Sequence, residues 1–224
     1  METPAPSFIM KRIQASLFLS ALFLSFACSS QSQKVAENKI HVGGRCDGCE
    51  LMYAGIPEKI NAADTSLGWK EGTGEKFIIN GTAFKNDGTT PAKDVILYYY
   101  HTDHTGKYTA RADMNQQAKR HGYLRGWVKT DSRGRYSIYT IRPMHYPNET
   151  FAAHVHVTVK EPGFNEYYID EWVFDDDKYL TAEVKGRNEN RGGSGIMHAE
   201  KQNGIWVTQQ NVICGMNIPS YPKE

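Results

Sequence analysis

Residues 142–157 read RPMHYPNETFAAHVHV. His154 and His156 stand one residue apart in an apolar run, and Tyr146 lies upstream of both. In an extended strand, residues i and i+2 face the same side. The two imidazoles would then share one face, with Val155 and Val157 on the other, and could converge on one metal ion. An HxH alone more often ends in ordinary hydrogen bonds or solvent. Tyrosine changes that balance. A free phenol loses its proton only near pH ~10, so it ligates where a strongly acidic cation removes that proton. Ferric iron does so readily, as a hard trivalent ion that prefers anionic oxygen. Tyr108, in HTGKYTA, is a second suitable phenol. Two phenolates and two imidazoles would leave Fe(III) near neutral once hydroxide joins.

The elements that must position these residues are β-like. KFIINGTAF (76–84), VILYYYHT (95–102), GWVKTD (126–131), RYSIYTI (135–141), AAHVHVTVKE (152–161), YYIDEWVF (167–174) and IWVTQQNVIC (205–214) read as strands. Turn residues such as KNDGTTPAKD, DHTGK and SRG separate them. Short strands at this spacing, without a long 3.6-residue periodicity, predict an all-β antiparallel β-sandwich with long loops and few helices. It would occupy residues 76–224, behind an irregular segment at 41–75. The polar connection 109–123 is long enough to suggest function. His101 and His104 read as loop histidines, His145, next to Tyr146 in a strand, as pointing away from the metal, and DDDK (175–178) as a solvated turn. Trp127 and Trp172 read as core residues.

A formal charge of +1 gives no electrostatic basis for binding nucleic acid. From Met10 the sequence runs MKRIQASLFLSALFLSFACSS. Two positive charges precede an apolar run that is too short for a comfortable transmembrane helix. Residues 1–27 therefore read as a signal peptide with its true start at Met10. Ala27–Cys28 followed by two serines resembles a bacterial lipoprotein site. Cys28 would carry a lipid anchor, 28–40 would be a flexible tether, and the protein would face the periplasm or cell surface. RCDGCE lacks the surroundings of a redox motif or a zinc site. One disulfide is expected instead, either local to Cys46 and Cys49 or to Cys214.

Taken together, GTAFKNDGTTPAKDVILYYYHTDHTGKYT, LRGWVKTDSRGRYSIYTIRPMHYP and AAHVHVTV resemble the intradiol ring-cleavage dioxygenase family, over roughly residues 76–218. By position, the resemblance implies Tyr108, Tyr146, His154 and His156 as ligands of one non-haem Fe(III) per chain. It implies O₂ and a catechol-like substrate, cleaved between its two hydroxylated carbons to a muconate-type diacid. Tyr146 matches the catalytic tyrosine that leaves the iron and helps take up a substrate proton. Family members often dimerise, which implies a homo-oligomer. One departure stands out. The family commonly carries an arginine three residues before the first histidine, where Phe151 stands here. Loss of such a positive group costs transition-state stabilisation, unless Arg111, Arg125 or Arg142 replaces it. The rival reading is an exported, non-catalytic binding module that kept the fold.

Overall fold

The fold is taken from a computed structural model that describes Met1 and residues 39–223. The signal peptide, Cys28 and nearly all of the tether lie outside the described residues. Among the described residues twelve strands form: β1 (Ala63–Thr65), β2 (Lys76–Phe84), β3 (Ile96–His101), β4 (Arg125–Lys129), β5 (Arg135–Ile141) and β6 (His154–Lys160), then β7 (Tyr167–Tyr168), β8 (Trp172–Phe174), β9 (Ile196–Met197), β10 (Ala199–Gln202), β11 (Ile205–Gln209) and β12 (Val212–Ile213). Two one-turn helices, α1 (Leu67–Glu71) and α2 (Ala182–Gly186), and two 3₁₀ turns, Cys49–Tyr53 and Gln116–His121, complete the described elements.

The strands make two six-stranded sheets. One runs β1-β5-β2-β11-β10 with β12 also on β2; the other runs β4-β3-β6-β8-β9 with β7 also on β6. Alternation drives the sandwich. Phe77, Ile79 and Ala83 of β2 and Tyr136 and Ile138 of β5 are buried on one side. They pack in one cluster with Leu97 and Tyr99 of β3 and with Val155, Val157 and Val159 of β6. Burial of a residue of this size contributes about 1.5–3 kcal/mol, so the register of β6 is strongly held.

The sheets are mixed rather than wholly antiparallel. The pairs β1–β5, β2–β11, β2–β12 and β8–β9 are parallel. The chain leaves the first sheet after β5 and re-enters through β10–β11. The direction of β11 is thus set by its hairpin with β10 and not by a turn from β2. That hairpin turns at Asn203-Gly204, both at positive φ, a two-residue turn signal that the strand reading passed over. YYIDEWVF also splits into β7 and β8. The stretch 41–75, expected as irregular, contributes β1 to the first sheet. It also contributes α1, capped by the Ser66 side chain, which accepts from the Trp69 N–H.

The same stretch covers the outer face of the second sheet. Trp127 Nε1 donates to the Met52 carbonyl at 2.7 Å, and Arg125 Nη2 to that of Ala54 at 2.6 Å. Trp172 lies in the core at 1% exposure, whereas Trp127 is half-buried on this outer face.

Candidate metal centre

With Val155 and Val157 pinned in the core, strand alternation sends His154 and His156 to the outer face of β6, as the spacing predicts. Tyr108 and Tyr146 arrive from two loops. The Tyr108 loop is built on Asp103, whose carboxylate accepts from the backbone N–H groups of Thr105 and Lys107 and from the hydroxyls of Thr105 and Thr109. Burial pulls the Asp103 pKa up, but the Thr105 and Thr109 bonds prevail and hold it below the usual range. At Gly106 in the same loop, φ is 77°, and a Cβ there would lie 2.0 Å from the His145 carbonyl oxygen. Glycine therefore lets the Tyr108 loop close against the segment that carries Tyr146. The start of β6 is held by the DDDK stretch. Asp177 Oδ2 accepts from the Ala153 N–H at 2.9 Å, so this turn does more than face solvent.

Four polar atoms then close a ring. Tyr108 Oη lies 2.9 Å from Tyr146 Oη, which lies 3.0 Å from His154 Nε2. His154 Nε2 lies 3.1 Å from His156 Nε2, which lies 2.9 Å from Tyr108 Oη. His154 Nδ1 faces the Ala152 carbonyl at 2.7 Å, so it carries the proton and leaves Nε2 bare. His156 Nδ1 points to Glu171 Oε1 at 3.6 Å, again an acceptor. Two phenol protons are then available for four short contacts. Even with the His156 proton placed on Nε2, one contact would lack a hydrogen. Lone pairs that close repel in a half-buried site unless a cation lies between them. The donor set suits one hard metal ion. Among the described residues no three His, Cys, Asp or Glu side chains gather as a metal site; here the remaining donors are phenols.

Burial, with the other rings nearby, shapes the electrostatics. Burial and then the contact with Tyr146 raise the Tyr108 pKa. Burial raises that of Tyr146, opposed by the bond from Tyr108. Burial lowers His156 far below the usual imidazole value, keeping it neutral and able to ligate. An aromatic stack supports it. Tyr100, opposite His156 in the β3–β6 ladder, has its ring 4.5 Å from that of His156. On its other face His121 lies 3.7 Å away at 3°. His121, held by Tyr98 Oη at 2.8 Å, comes from the long polar connection. Sequence reasoning missed Tyr100, His121 and Glu171. Tyr100 had a signal in its i+2 spacing from Tyr98, and His121 in the length of the 109–123 connection that carries it; Glu171 had none.

The structure places the remaining candidates elsewhere. His101 is buried between the sheets, with Nε2 2.8 Å from Thr140 Oγ1, and is not a loop residue. His104 and His145 line a cleft beside Tyr146. Phe151 is 62% exposed, its ring 6.3 Å from that of Tyr146. No expected arginine replaces it. Arg111 is held by Glu71, Arg125 by the Leu51 and Ala54 carbonyls, and Arg142 by Asp176 between the Phe174 and Trp206 rings. The disulfide is the local one, Cys46–Cys49, and Cys214 is free and buried. That loop walls a cleft of about 240 Å³ which also reaches Tyr100, His156 and Glu171.

A family model described as Dioxygenase matches residues 55–191. Catechol 1,2-dioxygenase 2 of Acinetobacter lwoffii is 26% identical over 155 residues, 58% of this chain and 53% of that protein. The chain thus spans about half the length of that curated relative. The dioxygenase domain of a dioxygenase–carbohydrate-binding fusion from Streptomyces sp. SirexAA-E superposes with a TM-score of 0.54 at 19% identity, covering 72% of this chain and 92% of that one. Catechol 1,2-dioxygenase of Acinetobacter radioresistens gives 0.53 at 18%, covering 76% and 62%. Hydroxyquinol 1,2-dioxygenase of Pseudomonas putida DLL-E4 gives 0.51 at 19%, covering 71% and 61%. These structural likenesses concern the fold.

Proposed function

We propose a function on the premise that this chain belongs to the dioxygenase family, whose model spans residues 55–191. The reading is a non-haem ferric intradiol dioxygenase. It would use O₂ to open a catechol-type ring between its two hydroxylated carbons, giving a muconate-type diacid. The observation that carries it is the proton-poor ring of Tyr108, Tyr146, His154 and His156. These four would hold one iron per chain. Bound there, iron would draw electron density from a chelated catecholate, so that a ring carbon can react with O₂.

The chain's own groups would do the rest. His154 and His156 keep their Nε2 lone pairs directed inward, because the Ala152 carbonyl and Glu171 occupy the Nδ1 sides. Tyr146 borders an open cleft, which would give this phenol room to swing away. Burial raises its pKa, so a free Tyr146 phenolate would accept a substrate hydroxyl proton. Tyr100 stacks on His156 and walls the other cleft, where it would limit the tilt of a bound ring.

The exported, lipid-anchored address through Cys28, facing the periplasm or cell surface, is proposed from the leader sequence alone. A homo-oligomer is proposed from the family. The exposed Phe151 and the engaged arginines favour one rival, a binding module on the same fold. A visible absorption spectrum of the iron-loaded mature domain, before and after catechol in air, separates the two. Tyrosinate-to-iron colour that shifts with catechol and decays to a ring-opened product is expected. A colourless protein that binds no iron would sink the enzyme reading.

A further inference from the structure

The charges around the four-donor ring are one-sided. Two clefts reach it. The one beside His156 is lined by Asp47 and Glu171, and the one beside Tyr146 by Glu149, with no lysine or arginine on either wall. The cations near the first cleft are already committed. Arg120 lies 3.4 Å from Asp47. Arg191 lies over the Tyr168 ring with its Nε on Glu189. Glu171 differs. Its side chain is 55% exposed, and among the described residues its carboxylate lies within ion-pair distance of His156 alone, at 3.6 Å. Glu171 thus presents its carboxylate to the cleft beside the donor ring, with no lysine or arginine among the described residues within ion-pair distance of it.

Resting on the ring-cleavage reading, we propose that this site selects catechols whose ring substituent carries an ammonium group over those carrying a carboxylate, with Glu171 as the specificity-determining residue. A dihydroxyphenyl ring seated with both oxygens toward the four donors would have these two clefts open to its substituent. In either cleft the lining residues that carry charge are carboxylates. A substituent carboxylate would be repelled in a partly enclosed groove, where screening is weaker than in bulk water. An ammonium group would instead find Glu171 or Glu149 as a partner. The substitution of Phe151 for the family arginine fits the same pattern, since the chain places no positive group there either.

The test uses three probes of similar size: dopamine, 4-ethylcatechol and 3,4-dihydroxyphenylacetate. Each is titrated anaerobically into the iron-loaded protein, with the shift of the visible band as the measure of binding. Dopamine should bind at least about tenfold more tightly than 3,4-dihydroxyphenylacetate at low salt, with 4-ethylcatechol between, and the spread should shrink as salt rises. Glu171→Gln should compress the spread. Equal or reversed affinities in the wild-type protein overturn the proposal, as does a spread that survives this substitution. If the protein is coloured but none of the three probes shifts the band, the ring-cleavage reading falls and the selectivity falls with it.

Discussion

His154 Nε2 and His156 Nε2 face each other at 3.1 Å, while the Ala152 carbonyl and Glu171 oppose their Nδ1 atoms. As a neutral ring, His154 with its Nδ1–H on the Ala152 carbonyl turns a bare Nε2 lone pair inward. A bound cation should therefore stabilise the fold measurably. Ferric iron at about 100 times its Kd should add about 2.7 kcal/mol of unfolding free energy, read as a rise in Tm that a chelator reverses. His156→Ala should lose more affinity than the roughly 10–100-fold that removal of an outer partner costs. Full iron retention in His156→Ala, measured by metal analysis, would remove it from the ligand set.

Gly106 couples the two tyrosine loops. Its φ of 77° and the 2.0 Å approach of a Cβ to the His145 carbonyl leave no room for a side chain. Gly106→Ala should cost about 1–3 kcal/mol of stability and, by parting Tyr108 from Tyr146, weaken the tyrosinate colour. Unchanged band intensity and Tm together would show that the loops do not depend on each other.

His101 gives the fold a pH dependence of its own. Burial pushes it down to about 4, while the Thr102 carbonyl and Thr140 Oγ1 hold its neutral tautomer. The unfolded chain binds that proton below pH ~6.5, whereas the folded chain does so only below about 4. Stability is therefore full above the unfolded value and falls as the pH drops between the two. The loss from this residue is about 3 kcal/mol. Denaturant unfolding of the metal-free protein from pH 7 to 4 measures it. His101→Gln should flatten the slope, and a slope unchanged by that substitution would assign the effect elsewhere.

The Cys46–Cys49 bridge closes only a four-residue loop. Its chain-entropy contribution is correspondingly small, about 2 kcal/mol. The double substitution to serine should lower stability by about that amount and leave the core intact. It should alter catechol affinity more than iron affinity, since the loop walls the cleft and supplies none of the four donors. A loss of iron equal to that of His156→Ala would mean that the loop holds the ligands themselves.

Much of this protein could be read directly from its sequence. β2, β5 and β6 emerge where alternating apolar residues had placed them, because burial on one face with period 2 leaves few other arrangements. The same period put His154 and His156 on one side, and a phenol's need for an acidic cation pointed to ferric iron. What pattern alone could not convey was decided by long-range contacts. Parallel pairing of β11 with β2 depends on where a hairpin docks, and periodicity is blind to strand direction. The cover over the outer face of the second sheet comes from residues 41–75, whose polar backbone is satisfied by distant partners such as Trp127 and Arg125. The stack of His121 on Tyr100 and the carboxylate of Glu171 beside His156 join residues far apart in the chain. Local sequence sets which face a side chain occupies; only the packed fold decides what it meets there.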